Sequence, residues 1–132
     1  MTPVAYRNNA NKYAVVHTES LMEDASAHKL IQMLMSGFLM RVNAAKGGIE
    51  RRDFQEKSQH ISRASSIVGG LIDGIDSENG GDIALNLLSL YEYIDSRLFQ
   101  ASAQNSIEIL DEVQLLMREI QQAWDAIPEA YR

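Results

Sequence analysis

With 132 residues the chain has room for one ordinary domain and a single core. Hydrophobic residues make up 45% and charged residues 23%, the balance of a soluble globular domain, and 12 Lys and Arg against 18 Asp and Glu leave a net charge of −6 that gives no reason to seek nucleic acid. Cysteine is absent, which excludes disulfides, thiol nucleophiles and cysteine-held metal centres and suits a reducing cytoplasm.

Residues 1–25 are the least regular stretch, with Asn8, Asn9, Asn11, His17 and Ser20 diluting the apolar positions. They are read as an N-terminal arm. No window has a signal peptide's apolar core or approaches a membrane span, so a cytoplasmic protein without membrane insertion is expected. The two prolines, Pro3 and Pro128, lie near the ends, and the long interior without a breaker favours helices.

Residues 26–132 read as an all-α, antiparallel up-down four-helix bundle. The first helix follows Ser26 as N-cap and carries Ile31, Met35, Phe38, Val42, Ala45 and Ile49 in alternating steps of four and three, running through Gly47-Gly48 to about Arg51. Nine of the 13 residues in Leu30–Val42 are apolar, too many for one narrow seam, so this helix should touch more than one neighbour. The second opens at Asp53, with Glu56 at capping-box spacing, and its stripe runs Phe54, Ser58, Ile61, Ser65, Val68, Ile72, Ile75. Gly69-Gly70 lies inside that stripe, where small residues let helices approach closely. Residues 76–81 form the clearest turn. The third helix carries Ala84, Leu87, Tyr91, Ile94, Leu98 and Ala101. The fourth is expected to start at Asn105, with Glu108 at the capping-box position, and to carry Ile109, Val113, Leu116, Ile120, Ala123 and Ile127.

Catalytic patterns are missing. A di-metal bundle site needs Glu-x-x-His pairs, and position i−3 is Ala14, Ala25 and Lys57 for the three histidines, which are expected to be exposed. Counting Asp76 as the first position of a calcium loop puts Leu87 where a bidentate carboxylate is required. No phosphate loop follows a strand, and no serine has a recognisable base. Neither an enzyme nor a metal or cofactor is expected. Lys46, Arg51, Arg52, Lys57 and Arg63 form a basic end, read as a solvated turn.

Apolar residues outside the seams are the informative remainder. At about 100° per residue, Leu88 and Phe99 stand near a right angle to the third helix's seam and Leu85 farther round. Ile67 and Leu71 sit off the second seam, and Leu115 points almost opposite the fourth. They fit a groove for a partner helix as well as broad seams or cover by the arm. Met22, Met33, Met35 and Met40 would suit an adaptable surface, although methionine at helical spacing more often belongs to a core.

Three blocks carry a resemblance. Tyr13-x5-Glu19-Ser20 with Ala25-Ser26-x-His28-x-Leu30-Ile31-x-Met33-Leu34-x2-Gly37, then Gly80-Gly81-Asp82-Ile83-Ala84-x-Asn86-Leu87-x2-Leu90-Tyr91-x-Tyr93-x3-Arg97-Leu98, and finally Leu110-x-Glu112-Val113-x-Leu115-Leu116 with Trp124 resemble the flagellar secretion chaperones for flagellin. Ala27 stands where that family often has Pro, Arg52 where it usually has Gly, and Ala10 where it usually has an apolar residue. The resemblance implies a cytoplasmic bundle that binds the disordered C-terminal segment of flagellin, prevents premature polymerisation and delivers it to the flagellar export gate. Tyr13, Ile67, Leu71, Leu85, Leu88, Phe99 and Leu115 are then the partner-binding residues, and the arm is expected to cover part of the groove in the free state. The alternative is a bundle that sequesters a motility regulator such as an anti-sigma factor. A weak homodimer is the alternative to a monomeric free state.

Overall fold

A serine side chain opens the first helix. Ser26 Oγ accepts the Lys29 N–H at 3.2 Å, and α1 (Ala27–Glu50) runs without a break through both glycines to a C-cap at Arg51. The computed structural model describes residues 26–76 and 78–131; the arm over 1–25, with Tyr13, His17 and Met22, lies outside them. Asp53 caps α2 (Phe54–Asp73) by accepting the Glu56 N–H at 3.1 Å, as its spacing predicts. The acidic turn leads into α3 (Gly81–Gln104), with Asp82 in the first turn where the helix dipole favours a negative charge. The last helix, α4, is Ile107–Asp125, capped by Ser106 accepting from the Ile109 N–H at 3.1 Å, and a 3-10 turn follows at Glu129–Tyr131. The expected start at Asn105 is one residue early. Asn105 has φ 50 and ends α3 in the left-handed conformation that Asn tolerates, so it cannot open α4.

Each helix packs on two neighbours, giving the cyclic order α1–α2–α3–α4 with no diagonal contact. Antiparallel pairing follows from the cross-bonds, since Gln32 reaches Asp125 near one end of α1 while Lys46 reaches Asp111 and Gln114 near the other. The all-α four-helix bundle expected from the heptads is the observed fold. Its core contains Met35, Phe38, Val42 and Ala45 from α1; Ile61, Ala64, Val68 and Leu71 from α2; Tyr91, Ile94, Leu98 and Ala101 from α3; and Ile109, Leu110, Val113 and Met117 from α4. Burial pushes the Tyr91 phenol up to about 12, so it is neutral at physiological pH.

The α1 and α3 seams are close to those read from the sequence, and the α2 and α4 seams are rotated. Phe54 and Ser58 are exposed while Ala64 and Leu71 take inner places. In α4, Leu110 and Met117 are fully buried, Leu116 and Ile120 half-buried, and Ala123 exposed. The reason is the same in both helices. Each has apolar residues on a face wider than one heptad stripe, and only the neighbours' positions choose which edge turns inward.

Close approach occurs at a different glycine pair from the expected one. A Cβ at Gly48 would lie 2.9 Å from the Lys57 backbone nitrogen, whereas Gly69 and Gly70 have nothing within 4 Å of theirs. At that junction the Lys57 side chain is buried, and its Nζ donates to Ser102 O at 2.9 Å and Asn105 Oδ1 at 2.8 Å, capping the end of α3. The basic end is solvated only in part: Lys57 is buried and Lys46 is half-buried and paired with Asp111, whereas Arg51, paired with Glu56, Arg52 and Arg63 are exposed as expected. Arg52 adopts φ 60, which explains why glycine suits this corner. At the opposite end Trp124 Nε1 donates to His28 O at 2.9 Å and the two rings stack at 4.8 Å. His28 is thus buried, against the expectation of an exposed histidine, because the indole lies on it. His60 is half-buried beside Arg41.

Two measurements check this account. Gly48→Ala should lose about 1–3 kcal/mol, because backbone on both sides must move. Gly69→Ala or Gly70→Ala should gain about 0.5–1 kcal/mol from helix propensity alone; urea denaturation reads both signs. On the α3–α4 flank, Glu112 accepts from Arg97 Nε at 2.6 Å and from the Tyr93 hydroxyl at 2.9 Å. These bonds, Arg97's first, hold its carboxyl below the usual range. A lowered carboxylate contributes stability above its unfolded value and loses it as pH falls through the lowered one. Arg97→Gln should therefore move the Glu112 midpoint upward, read by carboxyl NMR titration.

Candidate partner-binding groove

The four flanks between neighbouring helices are closed to different degrees. The α1–α4 flank is bridged by Lys46–Asp111, Lys46–Gln114, Ser36–Gln121 and Gln32–Asp125. The α3–α4 flank carries the Tyr93–Glu112–Arg97 network, and the α1–α2 flank is the most closely packed. Between α2 and α3 the side-chain cross-links among the described residues are the Lys57 clamp at one end and a single hydrogen bond, Ser65 Oγ to Asp95 Oδ1 at 2.6 Å, partway along.

What lies there is a groove. Its lower part is a recess of about 230 Å³ lined by Ser58, Ile61, Ser62, Ser65, Ser66, Leu98, Phe99 and Ser102. Phe99 is 66% exposed, an aromatic ring with no core to enter. The register set by Ser65–Asp95 and Lys57–Ser102 places Leu88 level with Ile72, so the upper part is aliphatic. Ile72 and Ile75 are half-buried and pack against the core, Leu88 is half-buried, and Leu85 is 52% exposed. The wall is therefore apolar at both ends on α3, against small hydroxyl residues on the lower half of α2. Such a surface offers apolar contact and hydroxyl hydrogen bonds; among the described residues no group of three His, Asp or Glu could hold a metal ion.

Of the residues singled out from the sequence, Phe99 lines the recess, and Leu88 and Leu85 follow on the same side of α3 toward its start, within about 40° of Phe99 at about 100° per residue. Ile67 does not; it packs on the other flank, where a Cβ at Gly37 would be 3.6 Å from its Cδ1. Leu115 is 58% exposed on the outer face of α4. Leu71 is a correction, since it is 2% exposed and faces the core, because the α2 seam is rotated toward it. Of the described methionines in the adaptable-surface reading, Met35 is core while Met33 and Met40 are exposed. The groove residues that sequence reasoning missed are Ser62, Ser66 and Ser102, with Ser58 and Ser65 misplaced in a seam. Their signal was present, because Ser58, Ser62, Ser65 and Gly69 recur at heptad spacing.

Comparison with known proteins agrees on one family. The profile of the family described as Flagellar protein FliS matches residues 9–131. The chain is 44% identical to flagellar secretion chaperone FliSB of Pseudomonas aeruginosa over 116 residues, covering 88% of this chain and 92% of that one. It is 40% identical to flagellar secretion chaperone FliS of Salmonella typhimurium over 116 residues (87% and 86%) and 35% identical to that of Vibrio cholerae over 125 residues (95% and 92%).

Proposed function

The chain belongs to the Flagellar protein FliS family, and from that premise we propose that it is a cytoplasmic export chaperone for flagellin. It holds the C-terminal segment of the newly made client, keeps that segment from polymerising early and delivers it to the flagellar export gate. The relatives' name, flagellar secretion chaperone, supports the chaperone role. The observation that carries the client site is the apolar side of α3, with Phe99 66% and Leu85 52% exposed and Leu88 half-buried, beside the α2–α3 recess, where among the described residues one hydrogen bond, Ser65–Asp95, crosses partway along.

The chemistry is non-covalent. Burying apolar area from a disordered segment yields roughly 25 cal/mol per Å², which offsets the entropy lost on ordering it. No nucleotide is needed. Leu115, on a different face, is where a client longer than the groove would continue around the bundle. Tyr13, outside the described residues, enters this reading through the arm, which is tethered at Ser26 and is taken to cover part of the groove until the client arrives.

Phe99→Asp and Leu88→Asp should each weaken binding of the flagellin C-terminal segment by about 1–3 kcal/mol, the scale of a buried anchor. Phe99→Asp should leave the thermal midpoint nearly unchanged, because the ring is already in water. Calorimetric titration beside a melting curve reads both. Normal binding by Phe99→Asp would remove the groove from the client site.

A further inference from the structure

Both walls of the groove have a heptad spacing of their own. On α3 the strip that carries Phe99, which lines the recess, and Asp95, which meets Ser65, runs Leu85, Leu88, Glu92, Asp95 and Phe99, in steps of three, four, three and four. On α2, Ser58, Ser62, Ser65, Gly69 and Ile72 follow in steps of four, three, four and three. At about 100° per residue each set falls within a strip roughly 80° wide. Two parallel strips repeating every 3.5 residues are the surface on which another helix packs. An extended chain, whose side chains alternate every second residue, has no such match. From Leu85 to Phe99 the wall is about 21 Å long, the length of a four-turn helix.

The ends of this wall are apolar and its middle is not. Glu92 is exposed and Asp95 half-buried, and neither forms an ion pair among the described residues. They sit on the acidic half of the molecule. Residues 76–131 carry eleven Asp and Glu against two Arg, while residues 26–75 carry four against seven Lys and Arg. A helix laid over the groove takes water from both carboxylates. Covering them with an apolar or acidic residue is unfavourable; covering them with a cation replaces the lost hydration.

We propose that the groove selects a helix with an apolar anchor at each end and a Lys or Arg between them, about five or six residues from each anchor. The upper anchor lies over Leu88 and Ile72, the lower beside Phe99, and the cation over Glu92 and Asp95. This rests on the reading of the groove as the client site, and it adds a rule of selection: a segment with an acidic residue at the central position is rejected.

The test uses two synthetic amphipathic helices of about four turns, identical except for a central Lys or Glu, titrated calorimetrically into the full chain. The C-terminal segment of the host's flagellin is titrated in parallel. The Lys peptide should bind about tenfold more tightly at low salt, with the gap narrowing as salt is added. Asp95→Asn with Glu92→Gln should bring the two peptides within about twofold. The Asn keeps an acceptor for Ser65, so the fold is not at stake, and a melting curve checks it. Equal affinities, a gap that survives in the double variant, or no binding by either peptide overturns the proposal. Flagellin bound without any Lys–Glu discrimination would sink this inference and leave the chaperone reading standing. Discrimination between the peptides without flagellin binding would do the reverse.

Discussion

The contact between Gly48 and Lys57 sets the geometry of the bundle. With no side chain at Gly48, the α2 backbone at Lys57 comes within the distance a Cβ would occupy, so α1 and α2 form the tightest pair. That placement aims the Lys57 side chain across the bundle end, where its buried ammonium meets Ser102 O and Asn105 Oδ1. A buried cation left unpaired would be strongly destabilising, so α3 is held where it can supply those oxygens. Its level against α2 is thereby fixed, and Ser65 meets Asp95. The opposite end is fixed separately by Trp124 on His28.

A groove is the consequence of that register. The three other flanks are either sealed by polar bridges or pressed together, so the apolar residues left on α3 face a wall of serines rather than a partner. Phe99 at 66% exposed is the clearest sign. Monomeric domains seldom leave such residues together without use. On the proposed reading the use is a client that is itself unable to bury its apolar stripe.

Charge is divided along the same line. The α1–α2 hairpin is mildly basic and the α3–α4 hairpin strongly acidic, so the modest net charge conceals a field across the molecule. Three of the cations of α1 and α2 are engaged, Lys46 by Asp111, Arg51 by Glu56 and Lys57 by the α3 terminus. The carboxylates of the groove form no ion pair among the described residues. Selectivity toward a client would come from that difference, with apolar area supplying affinity and the two carboxylates rejecting the wrong register.

Much of this was legible in the sequence. Helix number, caps at Ser26 and Asp53, continuity through Gly47-Gly48 and the α3 seam all follow from local rules, because capping and a 3.6-residue period are properties of neighbours in the chain. The family resemblance rests on blocks of the same kind, and the outward positions of Leu85, Leu88 and Phe99 follow from the α3 period alone. What the chain could not specify locally was the rotation of α2 and α4, whose apolar faces are wider than one stripe. Leu71 and Ser58 accordingly changed places between core and surface, and Leu110 and Met117 entered the core in place of Leu116 and Ile120. Nor does any local rule say that Gly48 rather than Gly69 is the point of contact, or that Lys57 and His28 are buried. Each depends on a residue 45 or more positions away, or on backbone from the next helix. The period of a helix is written in its own residues, but the face it turns inward is chosen by the helices it meets.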